Sequence, residues 1–162
     1  MVPLRVAAAL LLVCAPALPA CTDGAGDSDG ATAGGGATLL DEVDDYRAWA
    51  RAPGEYLTPL APSSGPHGAF VDIYVNDVVA QALLAEPGTL AAWPVGSIIV
   101  KDGWEDEGET LRFIALMEKT ADGWYWEEYI DDFQAPAYKG APEVCTGCHA
   151  AGSDSVRAFA LP

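Results

Sequence analysis

Basic residues are scarce in this 162-residue chain. Eight Lys and Arg stand against 24 Asp and Glu, for a formal charge of -16. Phosphate contact needs a basic face, so this balance argues against a nucleic-acid binder. Long apolar runs are missing too. Hydrophobic residues make up 51% of the chain, yet no run reaches the roughly 18 residues that span a bilayer. Histidine and methionine each occur twice, as His67 and His149 and as Met1 and Met117. A zinc site would therefore have to draw its four ligands from Cys145, Cys148, His149 and His67. The length predicts a single domain.

The first twenty residues read as an export signal. Arg5 is the positive n-region, and Val6 to Ala15 form an apolar stretch of h-region length, too short for a membrane helix. Leu18-Pro19-Ala20-Cys21 has the form of a bacterial lipobox, which predicts lipidation of Cys21 and a mature chain held on the periplasmic side of a membrane. The alternative is ordinary cleavage after Ala15-Pro16-Ala17. Residues 21–37 are rich in Gly and Asp, with no aliphatic side chain larger than Ala. Such a segment cannot bury enough apolar surface to offset its ordering entropy, and it reads as a tether.

The remainder, 38–162, reads as one folded domain. Thr38 and Asp41 form a capping-box pattern, and Leu39, Val43, Tyr46 and Ala50 recur at helical spacing until Pro53-Gly54. Residues 53–66 read as loop. Ala69 to Val75 is strand-like; Asn76 then caps a short helix through Val78, Val79, Ala82 and Leu83. Further strands are expected at Ser97–Lys101, Thr110–Lys119 and Gly123–Ile130, the last two joined by an Asp122-Gly123 turn. The pattern predicts an α+β fold, a mainly antiparallel sheet with one or two helices on its N-terminal side.

Near the C-terminus stands Cys145-Thr146-Gly147-Cys148-His149, the C-x-x-C-H of c-type haem attachment. Two thiols three residues apart can form thioethers to the two vinyl groups of one haem, and the following His can bind the iron. Haem c is attached outside the bacterial cytoplasm, which agrees with the signal. A Cys145–Cys148 disulfide and the zinc site are the alternatives. No Met follows His149, and Met117 sits inside a predicted strand where packing is its ordinary role. No second axial ligand is evident. His67, between Pro66 and Gly68, is either a plain loop residue or a distal group. An open distal position favours binding or oxidising small molecules over pure electron shuttling.

Several segments, in order, resemble the cytochrome P-460 family. They are His67-Gly68, the strand ending Tyr74-Val75-Asn76, Trp93-Pro94-Val95-Gly96-Ser97-Ile98-Ile99-Val100-Lys101, Leu116-Met117-Glu118-Lys119, Gly123-Trp124-Tyr125-Trp126-Glu127-Glu128-Tyr129, and Lys139 to His149. The resemblance implies one haem c, attached near the C-terminus of a mainly antiparallel β domain that is usually a homodimer. It implies oxidation of hydroxylamine or a related small nitrogen compound. By its place after the G-x-I-I-V strand, Lys101 matches the lysine that this family bonds to the porphyrin edge. The related cytochromes c′-beta lack that bond and bind nitric oxide or carbon monoxide in an apolar distal pocket.

Without the resemblance, Lys101 reads as a solvated charge at a strand end. Hydroxylamine oxidation also needs proton removal, for which a nearby carboxylate would serve; Asp72, Asp131, Asp132 and Glu143 lie near the matched segments. Phe70, Tyr74, Trp124 and Trp126 are candidates for lining the pocket, with ordinary core as the alternative. Three functions follow as expectations: an oxidase of hydroxylamine, a carrier or sensor of a diatomic gas, or an anchored electron-transfer protein whose acidic surface steers a basic redox partner.

Overall fold

The computed structural model describes residues 37–162. The signal segment, Cys21 and nearly all of the tether lie outside the described residues. The fold is α+β and mostly antiparallel sheet, as the sequence predicts. Its strands are β1 (Ala50–Arg51), β2 (Ala61–Pro62), β3 (Phe70–Val75), β4 (Ile98–Trp104), β5 (Leu111–Thr120), β6 (Gly123–Ile130) and β7 (Tyr138–Gly140). They form one sheet in the order β1-β3-β4-β5-β6-β7, with β2 also paired to β3. Every pairing is antiparallel. Three short helices accompany it: α1 (Leu39–Glu42), α2 (Asp77–Ala82) and α3 (Glu143–His149).

Strand alternation divides the side chains between two faces. One face gathers Tyr74, Val100, Ile114, Leu116 and Tyr129 under Leu39, Val43 and Tyr46. The other gathers Val71, Ile73, Val75, Ile99, Met117, Trp124 and Trp126 under α2, Cys145 of α3 and Val156. Met117 is thus core.

The capping box is present: Thr38 Oγ1 accepts the Asp41 N–H, and the Asp41 carboxylate accepts the Thr38 N–H. The helix it starts is shorter than its periodicity suggests. α1 ends at Glu42, a 3-10 turn covers Tyr46–Ala48, and Ala50–Arg51 pairs with β3. Val43 and Tyr46 still reach the core, because the turn lays them across the sheet. Asn76 caps α2 by accepting the Val79 N–H at 3.2 Å. Strands β3, β5 and β6 fall within a residue of expectation, while β4 runs three residues further, to Trp104. Four features were not anticipated. They are β1 within the expected first helix, β2 within the expected 53–66 loop, β7, and the helix that carries C-x-x-C-H.

On the Leu39 face, two fully buried carboxylates tie the elements together. Asp102 accepts the Tyr46 hydroxyl at 2.6 Å and two Arg47 N–H groups at 2.7 and 3.1 Å. Glu127 accepts the Leu39 N–H at 3.0 Å and the hydroxyls of Tyr125 and Tyr129 at 2.7 and 3.0 Å. Burial and the Asp102 charge push the Tyr46 hydroxyl far above the usual tyrosine range.

Candidate functional site

Lys101 is not at a strand end. It lies inside β4, paired with Ile73 on one side and Ala115 on the other; Ala115 in turn pairs with Glu128. Lys101, Ala115 and Glu128 therefore form a row across three strands, on the face that α3 covers. Ala115 contributes only a methyl group between the amine and the carboxylate. Burial pushes the Lys101 ammonium below the usual lysine range, with Glu128 acting against the shift. Burial likewise raises the Glu128 carboxyl, partly offset by Lys101. Each effect is the cost of taking a charged form out of water.

His67 joins this row. Its Nδ1 is 3.4 Å from a Glu128 oxygen, with the two side chains only 16% and 13% exposed. The contact is too poorly aligned for a hydrogen bond, and Nδ1 is buried without a partner. Burial, then the charges of Lys101 and His149, pull the His67 pKa down to about 3. The backbone around it explains the placement. Gly68 has φ +105°, and a Cβ on Gly103 would stand 2.0 Å from the His67 carbonyl oxygen. Only glycine lets the 63–69 loop press onto β4 at that point.

These facts predict a pH effect in the haem-free chain. His67 is neutral when folded and accepts a proton readily when unfolded. Its contribution is fully present above pH 6.5 and is lost as pH falls toward its folded value of about 3. His149, also depressed by burial, has the same sign, whereas Glu128, raised by burial, has the opposite one. His67→Gln should lessen the loss of stability over that interval, as read by urea unfolding at several pH values. Equal pH slopes in the two proteins would remove this account.

On α3, Cys145 and His149 are four residues apart and share a helix face. Cys145 is buried, Cys148 is exposed, and they form no disulfide. Burial raises the Cys145 thiol, and the Glu128 charge adds to this. His149 Nδ1 lies 2.8 Å from the Ser155 carbonyl oxygen. A carbonyl can only accept, so Nδ1 carries the proton and Nε2 keeps its lone pair. Burial holds the imidazole below the usual histidine range, opposed by this hydrogen bond. The Trp126 ring stands edge-on to His149, centroids 6.2 Å apart. Arg157 donates to the Cys148 carbonyl at 3.2 Å.

This donor set fits a haem c: two thiols unpaired with each other, an imidazole whose Nε2 is free, and a desolvated amine on the facing strand. It does not fit zinc, because among the described residues no three His, Cys, Asp or Glu side chains converge as metal ligands.

The four carboxylates singled out from sequence fall elsewhere. Asp72 pairs with Asp102 across the strands, so it faces away from Lys101, and it is taken up by Arg51, Trp104 Nε1 and the Leu60 N–H. Asp131 is exposed and bound to Arg112. Asp132 and Glu143 are exposed. The carboxylate at the site is Glu128. Of the aromatics, Trp124 and Trp126 lie on the site face. Phe70 and Tyr74 share strand parity with Asp72 and lie on the other, where Tyr74 packs edge-on to Tyr46.

Protein-family models give no match to this chain, and curated proteins give none.

Proposed function

We propose that this chain is an exported mono-haem c-type protein that oxidises hydroxylamine or a related small nitrogen compound. The observation that carries the proposal is the placement of a desolvated amine, Lys101, and a desolvated carboxylate, Glu128, on the sheet face covered by the C-x-x-C-H helix. Cys145 and Cys148 would hold haem c through thioethers, His149 would bind the iron through Nε2, and Lys101 would bond to the porphyrin edge. Bound haem would supply an open coordination position and an outlet for electrons.

The chain's own part is proton handling and positioning. Glu128 accepts protons from the substrate nitrogen or oxygen as they are released. His67, beside it, stays uncharged and lines the same polar spot without taking up the proton, since its own pKa is held down to about 3. Phe113 stands edge-on to His67 at 6.2 Å, and Trp126 lies on the same sheet face. A gas carrier of the related kind takes an apolar pocket, whereas Glu128 and His67 make this face polar. Electrons would pass to a basic partner attracted by the acidic surface. Lipidation at Cys21 would hold the protein on the periplasmic side of a membrane, and association as a homodimer belongs to the same proposal.

The absorption spectrum of the reduced full chain, matured with haem, tests the proposal. A broad, strongly red-shifted Soret band is expected in the wild type, and a c-type spectrum of ordinary shape in Lys101→Arg. An ordinary five-coordinate spectrum in the wild type would favour gas binding. A sharp six-coordinate one would favour electron transfer.

A further inference from the structure

The turn after α3 is strained and firmly anchored. Asp154 and Ser155 are adjacent non-glycine residues with φ of +45° and +67°. Ser153 and Val156 close the turn by exchanging backbone hydrogen bonds of 2.8 and 3.2 Å. A two-residue turn with both central φ positive ordinarily takes Asn-Gly or Asp-Gly, because other side chains crowd the backbone there. Strain of this kind persists only where the surroundings over-determine it.

Here the surroundings do so. Both Asp154 oxygens lie 2.9 Å from Lys119 Nζ, and Oδ2 also accepts the Trp93 N–H at 2.8 Å. The Asp154 carbonyl accepts Trp124 Nε1 at 2.8 Å, and the Ser153 carbonyl accepts Trp93 Nε1 at 3.1 Å. The Lys119–Asp154 pair is shielded, at 15% and 21% exposure. The turn is thus held by β5, by β6 and by the Trp93 loop. The Ser155 carbonyl that results meets His149 Nδ1 at 2.8 Å.

We infer that Asp154, held by Lys119, is a positioning residue for the iron ligand. It fixes the Ser155 carbonyl against His149 Nδ1 and so sets the orientation and basicity of Nε2. A hydrogen bond from the far ring nitrogen to a fixed acceptor makes an imidazole a stronger donor to metal. The inference rests on the haem-binding reading above. It assigns a role to Asp154 and Lys119, with Trp93 and Trp124 holding the turn.

The test uses the full haem-matured chain with Asp154→Asn and Lys119→Gln. Two quantities are read: the iron–histidine stretching frequency of the reduced protein by resonance Raman, and the midpoint potential. Both variants should keep covalent haem, shift the stretch to lower frequency, and shift the potential upward. Asp154→Glu, which can still reach Lys119, should return part of each shift. A generic loss of packing would not move the two variants together in these readouts. If Asp154→Asn does not accumulate, Lys119→Gln decides. Haem-loaded variants with wild-type stretch and potential would overturn this inference alone. A wild-type chain that gains no covalent haem by mass would overturn the haem reading and this inference with it.

Discussion

Glu128→Gln should lower hydroxylamine turnover by roughly 10²–10⁴-fold, the usual cost of losing a positioned proton acceptor, while the haem spectrum stays that of the wild type. Glutamine keeps the shape and a carbonyl oxygen but cannot take up a proton. His67 does not replace the carboxylate, because its affinity for a proton is itself depressed by burial and by the Lys101 and His149 charges. Since burial raises the Glu128 carboxyl above the usual glutamate range, wild-type turnover should fall on the acid side at a pH higher than an exposed glutamate would give. The sign follows from the role: a base works as the carboxylate, so protonation removes it. Steady-state kinetics with an artificial electron acceptor, run across pH, measures both effects. Equal turnover in the variant and the wild type would remove Glu128 from the mechanism.

Arg47→Met should cost up to about 3–5 kcal/mol of stability, because it leaves the buried Asp102 carboxylate without its counter-charge. Its effect should exceed that of the inverse change at Asp102. The asymmetry lies in burial: the Arg47 side chain is 50% exposed and can return to water, whereas Asp102 is 1% exposed and cannot. Without Arg47, the Asp102 carboxylate retains only the Tyr46 hydroxyl. A drop in melting temperature on the order of 10 °C or more is expected for a domain of this size. Adding Asp102→Asn to Arg47→Met should restore part of the loss, since the amide carries no charge to strand. Thermal and urea unfolding of the three variants check the ranking. A double variant weaker than Arg47→Met would contradict it.

The parts of the site that the sequence made legible are those fixed by local chemistry. C-x-x-C-H is such a part, since its three groups are useful only at that spacing. Lys101 was singled out by resemblance; its own context suggested a solvent-facing charge, because the expected strand ended at Lys101, whereas β4 continues to Trp104. Glu128 was missed for a plain reason. Glu127 and Glu128 are adjacent and identical, and only strand register tells which face each takes. Alternation did hold the clue, since Glu128 shares parity with Trp124 and Trp126, whereas Glu127 follows Tyr125 and Tyr129. Strands β1 and β2 are two residues each and β7 three, too short to show a period. The first helix was overextended because Leu39, Val43 and Tyr46 bury alike whether a helix or a turn carries them.

Lys101 and Asp102 are neighbours in the chain but belong to opposite faces of the sheet. A one-residue slip of β4 would exchange them, sending the amine among the Leu39-face aliphatics and the clamp carboxylate beneath α3. The Arg47 and Tyr46 contacts that stabilise the domain thereby also index the strand. A practical consequence concerns how such a protein can be diversified. Positions 113 and 115, which share the Lys101 and Glu128 face, can be varied to explore new substrates, while their immediate neighbours, left untouched, keep every strand in its lane.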